Sequence, residues 1–161
     1  MSSQMIEFAA NGHTAAGYLS NPPSGRGPGL VVIQEWWGLV DHIKVVADRF
    51  AAEGFVALAP DLYHGEQAKS PDEAMKLMMS LRLDAAAIDI DGAADALRAN
   101  PAVTSQRVGV IGFCMGGALA LHAASLAPER FAAAIDFSGA RRDVKPDPAT
   151  LTVPLQLHLG S

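Results

Sequence analysis

The sequence predicts an α/β fold: a mainly parallel sheet with an N-terminal antiparallel hairpin and helices on both faces. Continuous apolar runs such as Leu30-Val31-Val32-Ile33 have the pattern of strands covered on both sides. Near the start, two β-like segments flank Asn11-Gly12, the dipeptide best suited to a tight hairpin. After that hairpin, strand-like and helix-like segments alternate, which calls for crossover connections and hence a parallel sheet.

Each element has its own signal. The hairpin strands are expected over residues 4–9 and 14–19, followed by a Pro/Gly/Ser loop over 20–29. Strand 30–33 leads to a helix in which Ile43, Val46, Ala47 and Phe50 share one face, with Asp41 as the expected cap and Gly54 as the stop. Strand 55–59 and a loop over 60–69 come next. Ser70-Pro71-Asp72-Glu73 then reads as a helix start, with a capping serine, proline in the first turn and glutamate three residues on. Ala74, Leu77, Met78 and Leu81 form that helix's apolar stripe, and Ile90, Ala93, Ala94 and Leu97 that of the next. Strand 107–111, helix 118–124, strand 132–137, a polar loop and strand 155–159 complete the chain. No repeat interrupts the order, and 161 residues fit a single domain, 1–161.

Composition narrows the function. Half of the residues are hydrophobic, 18% are charged, and the formal net charge is −5. An acidic chain without a basic cluster is a poor partner for nucleic acid or an anionic membrane surface. There is no long apolar run and no signal-peptide pattern at the start, so a cytoplasmic location is expected. The single cysteine excludes an internal disulfide and suits a reducing compartment.

That cysteine, Cys114, lies in Gly112-Phe113-Cys114-Met115-Gly116-Gly117, between a strand-like and a helix-like segment. This is the pattern of a nucleophile elbow. The turn is so tight that residues two positions either side of the nucleophile must be glycine. The reactive atom is then lifted above the sheet at a helix N-terminus, where backbone N–H groups and the helix dipole favour negative charge. Here the nucleophile is a thiol, which points to acyl transfer.

Three loops would meet at the C-terminal strand ends, where ligands bind in such sheets. They contain Gln34-Glu35-Trp36-Trp37-Gly38, Pro60-Asp61-Leu62-Tyr63 and the elbow itself. In this order and spacing the motifs resemble the dienelactone hydrolase (carboxymethylenebutenolidase) family of α/β-hydrolases, and the resemblance spans the chain from the hairpin to Leu159. It implies an ester or lactone hydrolase acting on a small-molecule substrate through Cys114 and an acyl-enzyme. Glu35 matches the family glutamate that contacts the resting thiol; beside a buried thiol, such a carboxylate opposes ionisation by like-charge repulsion. The backbone N–H groups of Trp36 and Met115 match the oxyanion hole. Trp37 is a candidate substrate contact. Asp61 is expected to make an Asx turn, a structural role, and Tyr63 is read as structural too. No histidine is well placed as a base; His122 lies about two turns into the elbow helix. No cluster has metal-ligand spacing, so no metal or other cofactor is expected.

The resemblance also implies a triad aspartate just after strand 155–159 and a histidine further on, with further strands and helices. The sequence given stops at Ser161. The expectation is therefore a truncated enzyme, inactive in these 161 residues, with an exposed terminal edge open to self-association. The family's arginines for dienelactone are unmatched, which leaves the particular ester open. Two alternatives stand beside this reading. One is a class I glutamine amidotransferase-like cysteine hydrolase; the other is a non-catalytic binding module on a degenerate hydrolase fold.

Overall fold

In the computed structural model, which describes residues 1–139, 141 and 143–160, the protein is built on a seven-stranded sheet. The hairpin is β1 (Ser2–Ala10) and β2 (His13–Asn21), paired antiparallel from Ser2↔Asn21 to Ala10↔His13. Gly12 carries the positive φ of the turn, +93°. The remaining strands are β3 (Gly29–Ile33), β4 (Val56–Pro60), β5 (Val108–Phe113), β6 (Phe131–Phe137) and β7 (Leu155–His158). Their order across the sheet is β1-β2-β4-β3-β5-β6-β7, and every pair beyond β2–β4 is parallel.

The helices are α1 (Asp41–Ala52), α2 (Pro71–Ser80), α3 (Leu83–Ala99) and α4 (Met115–Leu126). The strand pleat explains how they divide between the faces. Leu30, Val32, Ala57, Ala59 and Ile111 pack with Ile43 and Ala47 of α1. The alternating residues Val31, Ile33, Leu58, Val108 and Val110 pack with α3 and α4 on the other face. All five residues of β3 and of β4 are buried, so the apolar runs without alternation follow from cover on both sides.

The structure corrects one cap and sharpens another. Asp41 is not the N-cap of α1: Val40 holds that position without a side-chain hydrogen bond, and Asp41 is the first helical residue. There it suits the positive end of the helix dipole and lies 3.7 Å from Lys44 Nζ. Ser70 does cap α2, its hydroxyl accepting from the Glu73 N–H at 3.3 Å, while the Glu73 carboxylate accepts from the Lys69 N–H at 2.7 Å. The strand β7 is a sheet edge, with Leu155 and Leu157 exposed. Residues 140 and 142 of the polar loop before it lie outside the described set. Among the described residues, no helix is long and apolar enough to cross a membrane.

Candidate active site

β5 ends at Phe113 and α4 begins at Met115, leaving Cys114 alone to turn the chain. It does so at φ +54°, ψ −121°, a conformation that costs a non-glycine residue about 1–3 kcal/mol and persists only where its surroundings enforce it. The surroundings are visible. The Cys114 N–H donates to Phe137 O at 2.8 Å, and the Gly117 N–H donates to Cys114 O at 2.9 Å. A Cβ on Gly112 would overlap the Gly116 carbonyl, and one on Gly116 would lie 2.7 Å from Ile33 O and closer still to Gln34 O. The glycine spacing is therefore a steric necessity of the elbow. The thiol itself is exposed to solvent, as a reactive atom lifted above the sheet must be. A tight turn at a strand end projects its apex outward.

The parallel register Ile33↔Gly112 sets Gln34 and Glu35 beside the elbow. Gln34 is fully buried, and its Oε1 accepts from the Leu62 N–H at 3.1 Å, tying the loop after β3 to the loop after β4. Glu35, Trp36 and Trp37 are partly buried, and the two indoles meet edge to face at 5.5 Å. Among the described residues, no hydrogen bond joins the Glu35 carboxylate to the Cys114 thiol. The Trp36 and Met115 N–H groups donate to no described backbone acceptor.

Asp61 makes the expected Asx turn: Oδ1 accepts from the Tyr63 N–H at 3.1 Å, and Oδ2 from the Gly65 N–H at 2.7 Å. That turn carries the buried Tyr63 into the site. Its hydroxyl lies 3.1 Å from Trp36 O and 3.6 Å from Met115 Sδ, and can donate to either. Burial pushes the phenol up to about 12, with the neighbouring Arg141 lowering it and Cys114 raising it. Tyr63 thus stays a neutral donor and touches both Trp36 and Met115. From sequence Tyr63 reads as structural only, since nothing local marks a contact spanning 27 and 52 residues.

The histidines do not assemble a base. His122 is partly buried, and its imidazole is held below its usual pKa by desolvation. His158 stacks flat on Phe137 at 4.0 Å, and Phe137 in turn stacks on Phe113. His42 lines a cleft of about 390 Å³ between α1 and the sheet with Val46, Phe50, Ile111, Phe113 and Phe137. Cys114 is not on that wall, so the cleft is open sheet face rather than the chamber over the thiol. Asp136 is buried under the elbow, its Oδ1 accepting from the Gly139 N–H at 2.6 Å. Desolvation raises its pKa.

Local spacing also hid a convergence away from the thiol. His13, His64 and Asp89 come from the hairpin, the loop after β4 and α3, and their ligand atoms lie within 4.8 Å of one another.

A mainly parallel sheet with flanking helices and a strained elbow cysteine at its C-terminal edge defines an α/β-hydrolase architecture. The comparisons with known proteins specify it further: the dienelactone hydrolase family matches residues 15–161, and the chain belongs to that family. It is 41% identical over 158 residues to protein usf of Aquifex pyrophilus, covering 94% of this chain and 68% of that protein. It is 34% identical to a carboxymethylenebutenolidase of Pseudomonas sp. (strain P51), covering 95% of this chain and 67% of that protein. Among solved structures it superposes on m3DLH with a TM-score of 0.86 at 29% identity, covering 99% of this chain and 68% of the other. A dienelactone hydrolase-like promiscuous phosphotriesterase from metagenomic libraries gives 0.83 at 27% identity, covering 97% and 67%. The protein is accordingly a dienelactone hydrolase-type hydrolase, and the amidotransferase alternative has no support.

Proposed function

We propose that the protein cleaves a small ester or lactone through Cys114 and an acyl-enzyme. The observation that carries this is the left-handed Cys114 elbow, with an exposed sulfur at the N-terminus of α4. In the first step, Sγ attacks the carbonyl carbon, forming a C–S bond while the carbonyl electrons move onto oxygen. The Trp36 and Met115 amides stabilise that oxyanion, each donor being worth about 10²–10³ in rate by analogy with other hydrolases. Collapse expels the alkoxide of the ester or lactone and leaves a thioester on Cys114. Water then attacks the thioester, releasing the acid and restoring the thiol. Trp37, partly buried beside Trp36, supplies apolar wall for the substrate. Glu35, set beside the elbow by the Ile33↔Gly112 register, is the carboxylate placed to contact the resting thiol before substrate enters.

An unassisted thiol is only a few per cent thiolate at neutral pH, and losing a triad base costs on the order of 10⁶ in turnover. Among the described residues, no histidine forms a hydrogen bond with Cys114, so we place the acid and base of the reaction outside this set. The 161-residue chain should therefore acylate but turn over poorly. Steady-state hydrolysis of p-nitrophenyl butyrate tests this. We expect a rate far below 1 s⁻¹, the low end of ordinary enzyme turnover; a rate above it would refute the assignment of the base. A cytoplasmic location accords with an exposed, reduced thiol. The open β7 edge, with Leu155 and Leu157 exposed, supports self-association of this chain. Sedimentation velocity tests that: a monomer at all concentrations would exclude it.

A further inference from the structure

We propose that His13, His64 and Asp89 form a binding site for a divalent first-row transition-metal ion, with zinc as the representative ion. The site is independent of the Cys114 chemistry. Asp89 is a helix residue whose side chain is 2% exposed, yet both of its oxygens are directed at imidazoles. His13 Nε2 lies 2.6 Å from Oδ1, and His64 Nε2 lies 2.8 Å from Oδ2. The two rings stand 5.6 Å apart, tilted by 37°, and remain open to solvent at 36% and 50% exposure.

Three elements are brought to this point for separate reasons. His13 opens β2 directly after the Asn11-Gly12 turn. Asp89 is held against the hairpin because Gly92, one turn further along α3, lets that helix approach β1; a Cβ there would sit 2.9 Å from Ala9 O. His64 follows Tyr63 inside the Asp61 turn with a φ of +52°, a left-handed value uncommon outside glycine and asparagine.

Two imidazole nitrogens and one carboxylate oxygen are a ligand set that suits Zn²⁺, Co²⁺ or Ni²⁺, with solvent completing the shell on the open side. In the metal-free protein the imidazoles donate Nε2–H to the carboxylate. An ion bound at Nε2 requires each neutral ring to carry its proton on Nδ1 instead, and Nδ1 can then donate to water. Bonds of about 2.0–2.1 Å in a tetrahedral site put the ligand atoms about 3.3 Å apart. The rings therefore draw back from Asp89 by about 0.5–0.7 Å, a small move for side chains in contact with solvent. Such an ion pins the loop after β4 to the hairpin and α3, one residue from Tyr63.

The test is zinc binding to the full 161-residue chain carrying Cys114→Ser, which removes the competing thiol. Competition with a chromophoric chelator should give one ion per chain. His13→Ala, His64→Ala and Asp89→Asn should each weaken binding at least tenfold. At zinc concentrations about a hundred times Kd, the midpoint of thermal unfolding should rise by about 5–10 °C, and this rise should vanish in His64→Ala. Imidazole ¹⁵N spectra of the unsubstituted histidines give a readout free of any folding defect. Zinc should shift the resonances of His13 and His64 and leave those of His42, His122 and His158 in place. Binding that survives His13→Ala with His64→Ala, shifts confined to the other histidines, or a Kd weaker than about 1 mM would overturn the proposal. Asp89 would then be only a hydrogen-bonded clasp.

Discussion

Replacing Tyr63 by phenylalanine removes one oxygen and keeps the buried ring. In the wild type that oxygen lies 3.1 Å from Trp36 O and 3.6 Å from Met115 Sδ. Sulfur is the weaker acceptor, so the Trp36 carbonyl is the partner that matters. A typical intramolecular hydrogen bond contributes about 0.5–1.5 kcal/mol net, and a carbonyl left without a donor costs about 1–3 kcal/mol where water cannot reach it. Trp36 is only partly buried, which favours the lower part of that range. A loss of about 1.5 kcal/mol follows, equivalent to about 3–6 °C in the unfolding midpoint of a chain this size. The same contact fixes the backbone at Trp36, whose N–H is proposed to hold the oxyanion. Acylation of Cys114 by an activated ester should therefore slow by about tenfold, a fraction of the loss expected when such a donor is removed outright. Circular dichroism melts and the rate of p-nitrophenol release in a single turnover read the two effects. Met115→Leu is the control: it conserves volume, removes only the sulfur acceptor, and should cost less than about 1.5 kcal/mol without slowing acylation. A Tyr63→Phe protein that melts and acylates like wild type would refute the reasoning.

Gly116→Ala should fail to fold or lose more than about 3 kcal/mol, because its Cβ meets the backbone of Ile33 and Gln34, which cannot yield without displacing β3. Gly12→Ala, strained in φ but in open space, should cost only about 1 kcal/mol; equal melting of the two variants would contradict the steric account. Asp91 gives a pH signature. Burial raises its carboxyl to about 6, against about 4 in the unfolded chain, and Oδ1 has no described partner. Between pH 4 and 6 the folded state then binds more protons than the unfolded one, so this group's contribution to stability falls as pH rises. Asp91→Asn should stabilise the protein at pH 8 by about 1 kcal/mol, a figure reduced because the carboxyl keeps part of its hydration, and should change little at pH 4. Denaturant titrations at the two pH values check it, and an equal effect at both would exclude the burial argument.

Much of this architecture was legible because its determinants are local. The buried runs of β3 and β4, the Asn11-Gly12 turn and the Ser70 cap each declare themselves within a few residues. So does the elbow, since the glycines that Cys114 requires are its near neighbours in sequence. What stayed hidden depends on tertiary approach. Asp41 has the right chemistry for a cap, but the chain enters α1 one residue earlier, at Val40. The reach of Tyr63 to Trp36 follows from Gln34 pinning one loop to the other, a contact between residues 28 apart. The approach of His13 to Asp89 spans 76 residues and depends on how closely α3 lies on β1.

Covalent capture is the most direct test of whether Cys114 attacks an acyl carbon. The chain should be mixed with p-nitrophenyl butyrate, quenched in acid within seconds and analysed by intact-mass and peptide mass spectrometry. A single butyryl adduct is expected on the peptide containing Cys114, absent in Cys114→Ala and formed faster than on a free cysteine peptide at the same pH. No adduct, or acylation at Cys114 no faster than on the free peptide, would contradict it.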